Sequence, residues 1–348
     1  VIEARDFTGE SVVECERPMT EKGEDGKPIW RRGDFWVRGL DAVDGGRAAE
    51  DGWLGYLDES RFRATSVPDL NGNGRTDDRF AVVVYRDAKG EWTTVVDRDG
   101  DRDLAGETPQ HAYSKDLQPL RLAGYDPARG VPPLSIALHI EASENGPRRV
   151  EFHVPGGPHG THVAGIAAGS RLYGNEGFDG IAPGANVLSL KIGDNSLAGG
   201  ATVSESMRRA LEFAGRWARR TGTPLVVNIS YGIGSEVEGR SSTDQVVQRF
   251  CEENPTVVVV TSAGNQGPGL STVGSPAASL HAVSVAAAYS PATARELLGA
   301  EVAGPRLFQF SARGGEIGKP DVAAPGIASS TVPAYARSDV MRGTSMAS

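Results

Sequence analysis

The pattern of apolar and polar positions changes partway along the chain. Before about residue 130 the apolar runs are short and β-like, as in Phe80-Ala-Val-Val-Val-Tyr85 and Trp92-Thr-Thr-Val-Val96, and Asp87-Ala-Lys-Gly90 between them predicts a hairpin turn. Leu134–Ile140 and Arg149–Val154 predict two further strands joined through Asn145-Gly146. Beyond them, helical and extended patterns alternate. Helices are expected near 160–169, 202–220 and 242–253, and strands over Asn186–Ile192, Leu225–Ser230, Thr256–Thr261 and Ala282–Ala287. Val257-Val-Val-Val260 is apolar at every position, as a parallel strand covered on both faces must be. The fold class implied is α/β, a doubly wound, mostly parallel sheet preceded by a β-rich region. Two domains are expected, an accessory insertion over 1–130 and the main domain over 131–348.

Composition narrows the function. The net charge is −9, so sequence-independent nucleic-acid binding is not expected, because phosphate contacts need clustered Lys and Arg. No apolar run approaches the length of a membrane span, so no membrane partner is expected. Cys15 and Cys251 are the only cysteines and offer neither a disulfide framework nor a thiolate metal site.

Glycine-rich stretches fall after Ile192, Ser230 and Ser262, at the carboxyl ends of predicted strands, where sites of open α/β sheets lie. Three segments carry candidate chemistry: Gly156-Gly-Pro-His-Gly-Thr-His-Val-Ala-Gly165, Ser262-Ala-Gly-Asn-Gln-Gly267 and Gly343-Thr-Ser-Met-Ala-Ser348. A serine hydroxyl needs a base to become a nucleophile, and the tetrahedral intermediate it forms needs donors aimed at its oxyanion. His159, Ser345 and Asn265 are residue types that supply those parts. His159 and His162 lack the intervening Glu of the zinc-protease motif, and His162 is expected to be a buried helix-face residue.

Together the three segments resemble the subtilisin family of serine proteases. The resemblance implies a subtilisin-type sheet with His159 as general base and acid, Ser345 as nucleophile and Asn265 as oxyanion donor, acting on peptide or protein substrates without a required cofactor. Gly193 resembles the edge on which the substrate backbone pairs, and Ser230-Tyr231-Gly232 the wall of the pocket for the residue before the scissile bond. The tripeptidyl peptidase II branch is similar from about residue 80 onward, through Val95–Leu104, Gly180–Ala185, Leu188–Asp194, Asn228–Gly232 and Leu270–Gly274. That branch carries a long insertion between its catalytic Asp and His, which accounts for the accessory region. The family's Asp-Thr-Gly or Asp-Ser-Gly motif is missing, and Asp6-Phe-Thr-Gly9 is its nearest imitation. Val1–Arg5 is too polar for the buried strand that delivers the Asp, so the catalytic Asp is expected upstream of Val1. With Ser348 three residues past the nucleophile, a fold incomplete at both ends is expected.

Members of that branch capture a free substrate amine with two carboxylates, at places held here by Ala201 and Ile233, with Glu205 and Glu236 as nearby substitutes. An endopeptidase is therefore expected, a secreted one by inclination. A tripeptidyl aminopeptidase and an inactive homologue serving as a binding module are the alternatives. Separately, Asp69, Asn71, Asn73 and Asp77 alternate oxygen ligands with Gly74 at the sixth position, like a calcium-binding loop, although Phe80 holds the place of the twelfth-position Glu. A structural calcium is expected there, and Asp97, Asp99, Asp101 and Asp103 repeat the alternation.

Overall fold

The computed structural model describes residues 1–122, 134–146, 148–197, 201–234, 237–336 and 338–348. The chain divides into two units. One comprises Val1–Gly157 with Asn186–Thr202, the other Pro158–Ala185 with Val203–Ser348.

The first unit is built of small sheets. Trp53–Asp58 (β3), Arg79–Arg86 (β4) and Trp92–Val96 (β5) form an antiparallel meander. Its β4–β5 connection is the expected turn, with Gly90 at φ 77° and its N–H donating to the Asp87 carbonyl. Leu54, Val83, Tyr85 and Val95 pack with Trp30, Phe35 and Leu104 into a core that excludes water. Ser135–Ala142 (β6) and Arg148–His153 (β7) pair as expected, and β7 continues to Val12–Cys15 (β2). That pairing draws residues 134–157 into the N-terminal unit, so the division by packing lies at Gly157 rather than near the expected 130.

Glu3–Asp6 (β1) runs parallel to Leu188–Lys191 (β8) in the same unit. The polarity of Val1–Arg5 argued against a buried strand, yet β1 alternates half-buried and buried positions. Arg5 is neutralised by Glu151 on β7 through two bonds of 3.0 and 3.2 Å, and buried Asp6 meets Lys191 of β8 at 3.1 Å. Long-range ion pairing replaces the apolar side chains the strand lacks.

The second unit is the expected mostly parallel α/β layer. Leu225–Ile229 (β9), Val257–Ser262 (β10), Val283–Tyr289 (β11) and Val322–Pro325 (β12) are all parallel. Ser204–Thr221 (α2) buries Met207, Ala210, Leu211, Ala214 and Ala218, the i, i+3, i+4, i+7 stripe of an amphipathic helix, and stops at Gly222 in the left-handed conformation. Ser242–Glu253 (α3) begins with a capping box between Ser241 and Asp244 and packs against α2 and β10. One expectation fails here: Val226 is 64% exposed and Val258 49%, so only one face of this pair of strands is covered among the described residues.

Two elements complete the unit around the site. His159–Ala168 (α1) starts at the first histidine of the motif. The hairpin Ile327–Ser329 (β13) and Val340–Arg342 (β14) leads into the short helix Thr344–Ala347 (α4), which packs on β10, β11 and β12.

Candidate active site

His159 is the first residue of α1 and is exposed. The protein crowded around its ring nonetheless pushes its pKa below the ordinary histidine value, and the neighbouring charge of His162 adds to the effect. A neutral imidazole is thereby favoured. His162, one turn on, is fully buried, as expected, and its Nε2 lies 2.9 Å from the Asp339 carbonyl oxygen and 3.2 Å from that of Ala328.

Ser345 and Asn265 are brought together although 80 residues separate them in sequence. The Asn265 Oδ1 accepts two hydrogen bonds from Thr344, one from the backbone N–H and one from the hydroxyl, each at 3.0 Å. An N–H donor can face only the carbonyl oxygen of an amide, so this contact fixes which end of the Asn265 side chain is Nδ2. The Thr344 hydroxyl in turn accepts from the Gly264 N–H at 3.1 Å, locking the segment before the nucleophile to the segment carrying Asn265. His159, Asn265, Gly343 and Ser345, with Met341, Arg342 and Met346, line one cavity of about 350 Å³.

Ser230 and Ser345 bond reciprocally. The Ser230 hydroxyl donates to the Ser345 carbonyl at 2.9 Å, and the Ser345 hydroxyl donates to the Ser230 carbonyl at 3.3 Å. Tyr231 and Gly232 follow, and Ile233 pairs with Ser275 by two backbone bonds of 2.9 and 3.0 Å. A Cβ at Gly232 would stand 3.1 Å from the Ser275 carbonyl, so this wall admits glycine with little room to spare. Gly193 lies in the first unit, two residues after β8, bridged to Thr202.

The carboxylates considered for amine capture are engaged or undescribed. Glu205 meets Arg208 at 2.6 and 2.8 Å, while Ala201 and exposed Ile233 carry no charge. Glu236 lies outside the described residues. Glu238, which the motifs did not single out, is buried and accepts from the backbone N–H groups of Val273, Gly315, Glu316 and Ile317 at 3.0–3.3 Å. Asp6 is equally committed, accepting from the N–H and hydroxyl of Thr8 at 2.7 and 2.6 Å and from Ser11 at 3.1 Å, besides Lys191.

In the acidic loops, Asp69, Asn71 and Asn73 share one tight turn. Asp69 accepts from the N–H groups of Gly72, Asn73 and Gly74, while Asp77 is turned to Arg75 at 3.2 Å. The carboxylates of Asp97, Asp99 and Asp101 converge within 4.8 Å of one another. Burial pushes the pKa of Asp97 up to about 7, and likewise that of Glu59, whose carboxylate receives the N–H groups of Leu70 and Asp78.

Thr344 is the residue that motif reading passed over. Its signal was a hydroxyl directly before the candidate nucleophile, which by itself reads as an ordinary helix cap.

Comparison with known proteins places the arrangement in a family. The family described as the subtilase family matches residues 139–348. Tripeptidyl-peptidase 2 of Caenorhabditis elegans is 35% identical over 222 residues, covering 62% of this chain and 15% of the relative. Pyrolysin of Pyrococcus furiosus is 30% identical over 343 residues, covering 84% of this chain and 23% of the relative. The crystal structure of tripeptidyl peptidase 2 superposes with a TM-score of 0.67 at 21% identity, over 94% of this chain and 28% of that one, a likeness of fold. The chain thus spans under a quarter of the length of these two sequence relatives. With a family match over most of its length and the expected subtilisin-type parallel layer carrying the three motif residues, the chain belongs to the subtilase family.

Proposed function

We propose that this chain carries the acylating machinery of a serine endopeptidase that cleaves peptides and proteins. Ser345 attacks the scissile carbonyl, His159 takes its proton and returns it to the leaving amine, and Asn265 Nδ2 donates to the oxyanion. The observation that carries the reading is the lock between Thr344 and Asn265, which leaves one amide end for donation beside the nucleophile in a shared cavity. The Ser345 hydroxyl rotates about χ1 from its long bond to Ser230 to meet His159 when substrate binds. Ser230–Gly232 walls the pocket for the residue before the scissile bond, and Gly193 pairs with the substrate backbone, as in the family. The full engagement of Asp6 supports an orienting aspartate supplied from outside residues 1–348.

Endopeptidase action is favoured over tripeptide release by the uncharged Ala201 and Ile233 and by the pairing of Glu205 with Arg208. An ammonium partly desolvated without a carboxylate partner binds poorly.

Exposure of the intact protein to a fluorophosphonate, followed by peptide mapping, tests the assignment. Adduct on Ser345, absent from Ser345→Ala, is the expected result. Labelling that persists in the variant, or no labelling of the native protein, would overturn it, the latter in favour of an inactive binding module.

A further inference from the structure

A second polar cluster, in the unit that holds Gly193, surrounds Glu10. This carboxylate is 8% exposed, and four donors converge on it. Lys191 Nζ and Asn195 Nδ2 (2.7 Å) meet Oε1, and the backbone N–H groups of Asn195 and Ser196 (3.2 Å) meet Oε2. Asn195 is itself buried. Its Nδ2 also donates to the Val154 carbonyl at 3.4 Å, and its Oδ1 occupies the space over Gly156, where any Cβ would collide with it. Val154 and Gly156 stand five and three residues before His159, and Gly193 stands two before Asn195. The end of the segment Gly193-Asp-Asn-Ser196 is thus held at Asn195 and Ser196 by one buried carboxylate.

Keeping a carboxylate out of water is costly unless its lone pairs are filled, and four donors fill them here, while the Asp194 carboxylate, also within hydrogen-bonding reach, opposes its charge. The backbone gains from this arrangement. A strand edge recognises a peptide through N–H and C=O groups whose directions must be fixed before binding, or the cost of ordering them is subtracted from affinity.

We propose that Glu10 is a positioning residue that fixes Gly193–Ser196 as the edge on which substrate backbone pairs, and that Asn195 ties this edge to the chain entering the His159 motif. The proposal rests on the reading of Gly193 as a substrate-pairing residue. Glutamine cannot replace Glu10, since with one oxygen it leaves two of the four donors without an acceptor. Protonation has a related effect. Burial pushes the Glu10 pKa up to about 7 against the pull of Lys191, with Asp194 and Asp6 the other charged groups facing it. His153, held neutral by burial beside Asp6 and Lys191, does not take up the proton instead.

The test compares acyl-side extension in the intact protein, using fluorogenic substrates with one and with four residues before the scissile bond. In Glu10→Gln the KM of the four-residue substrate is expected to rise about tenfold, equivalent to roughly 1.4 kcal/mol of lost binding. The kcat, the single-residue substrate and the rate of fluorophosphonate labelling should hold. The native protein should show that KM rising as pH falls through about 7, and the variant should not. Equal losses on both substrates, or no loss on either, would overturn the role of Glu10. No benefit from extension in the native protein would sink the reading of Gly193 as well, a result separable from the first. Should Glu10→Gln not fold, Asn195→Ala, which keeps Glu10 and its backbone contacts, is expected to show the same KM-selective loss, and a kcat-only loss would refute the proposal.

Discussion

Thr344 donates both its backbone N–H and its hydroxyl to the Oδ1 of Asn265, each across 3.0 Å, although the two residues are 79 positions apart. Asn265→Ala in the intact protein is therefore expected to lower kcat about 10²–10³-fold with KM little changed, a magnitude known from subtilisin itself rather than obtained from this geometry. Thr344→Val removes one of the two bonds and leaves the half-buried Gly264 N–H without its acceptor, which costs about 1 kcal/mol of stability. It should lower kcat about tenfold, and Thr344→Ser should restore it. Steady-state kinetics with a melting curve for each variant check this. A Thr344→Val enzyme with native kcat would show that the lock does not position the donor.

Internal cleavage of an N-terminally blocked peptide should be at least as efficient as release of tripeptides from its free counterpart. The neutral side chains of Ala201 and Ile233 motivate this. Mass spectrometry of the products decides it. Products three residues long from free substrates alone would reverse the assignment.

Burial raises the carboxyl pKa values of Asp97 and Glu59 to about 7 in the folded state, above the usual carboxylate range. Each group therefore binds its proton more tightly when folded. The stability it contributes is complete below about pH 4 and is lost as pH rises toward 7, at up to about 1.4 kcal/mol for each pH unit crossed. Without divalent cations the melting temperature should fall between pH 5 and pH 8. Asp97→Asn should flatten that slope whatever its absolute stability, and an unaltered slope would count against the assignment.

Calcium is expected to raise the melting temperature at pH 8 through the Asp69–Asp77 turn, because an ion that binds only the folded state stabilises it. Removal by chelator should lower the melting temperature, and Asp69→Ala should abolish the difference. Identical curves with and without chelator would rule out a bound calcium.

Much of this molecule is legible in its sequence where local chemistry decides the outcome. The Asp87–Gly90 turn, the amphipathic stripe of α2 and the Ser241–Asp244 box are each set by neighbours within a few residues. His159, Asn265 and Ser345 stand out because the three segments that hold them jointly resemble the motifs of the subtilisin family; alone, each reads as an ordinary turn or cap residue. What was hidden depends on partners distant in sequence. The strand Glu3–Asp6 is stable because Glu151 and Lys191, 146 and 185 positions away, neutralise Arg5 and Asp6. Residues 134–157 join the N-terminal unit because β7 pairs with β2, a register that no local pattern encodes. Val258 reads as buried from its apolar run, but half of it meets solvent because covering a face is decided by other elements.

The segment around His159 has an architectural purpose besides the chemical one proposed for it. The His162 ring is bonded to carbonyls of the β13–β14 hairpin region, its carbonyl accepts the Ser330 hydroxyl at 2.8 Å, and Gly165 presses so close to Ser330 that any larger residue would collide. His162 and Gly165 are thus held by architecture, whether or not the protein turns over a substrate. An exchange of His159 leaves these contacts in place, whereas an exchange of His162 or Gly165 breaks them. Intactness of the motif around His159 therefore reports on the fold, and whether a relative can still act has to be read at His159, Ser345 and Asn265 together.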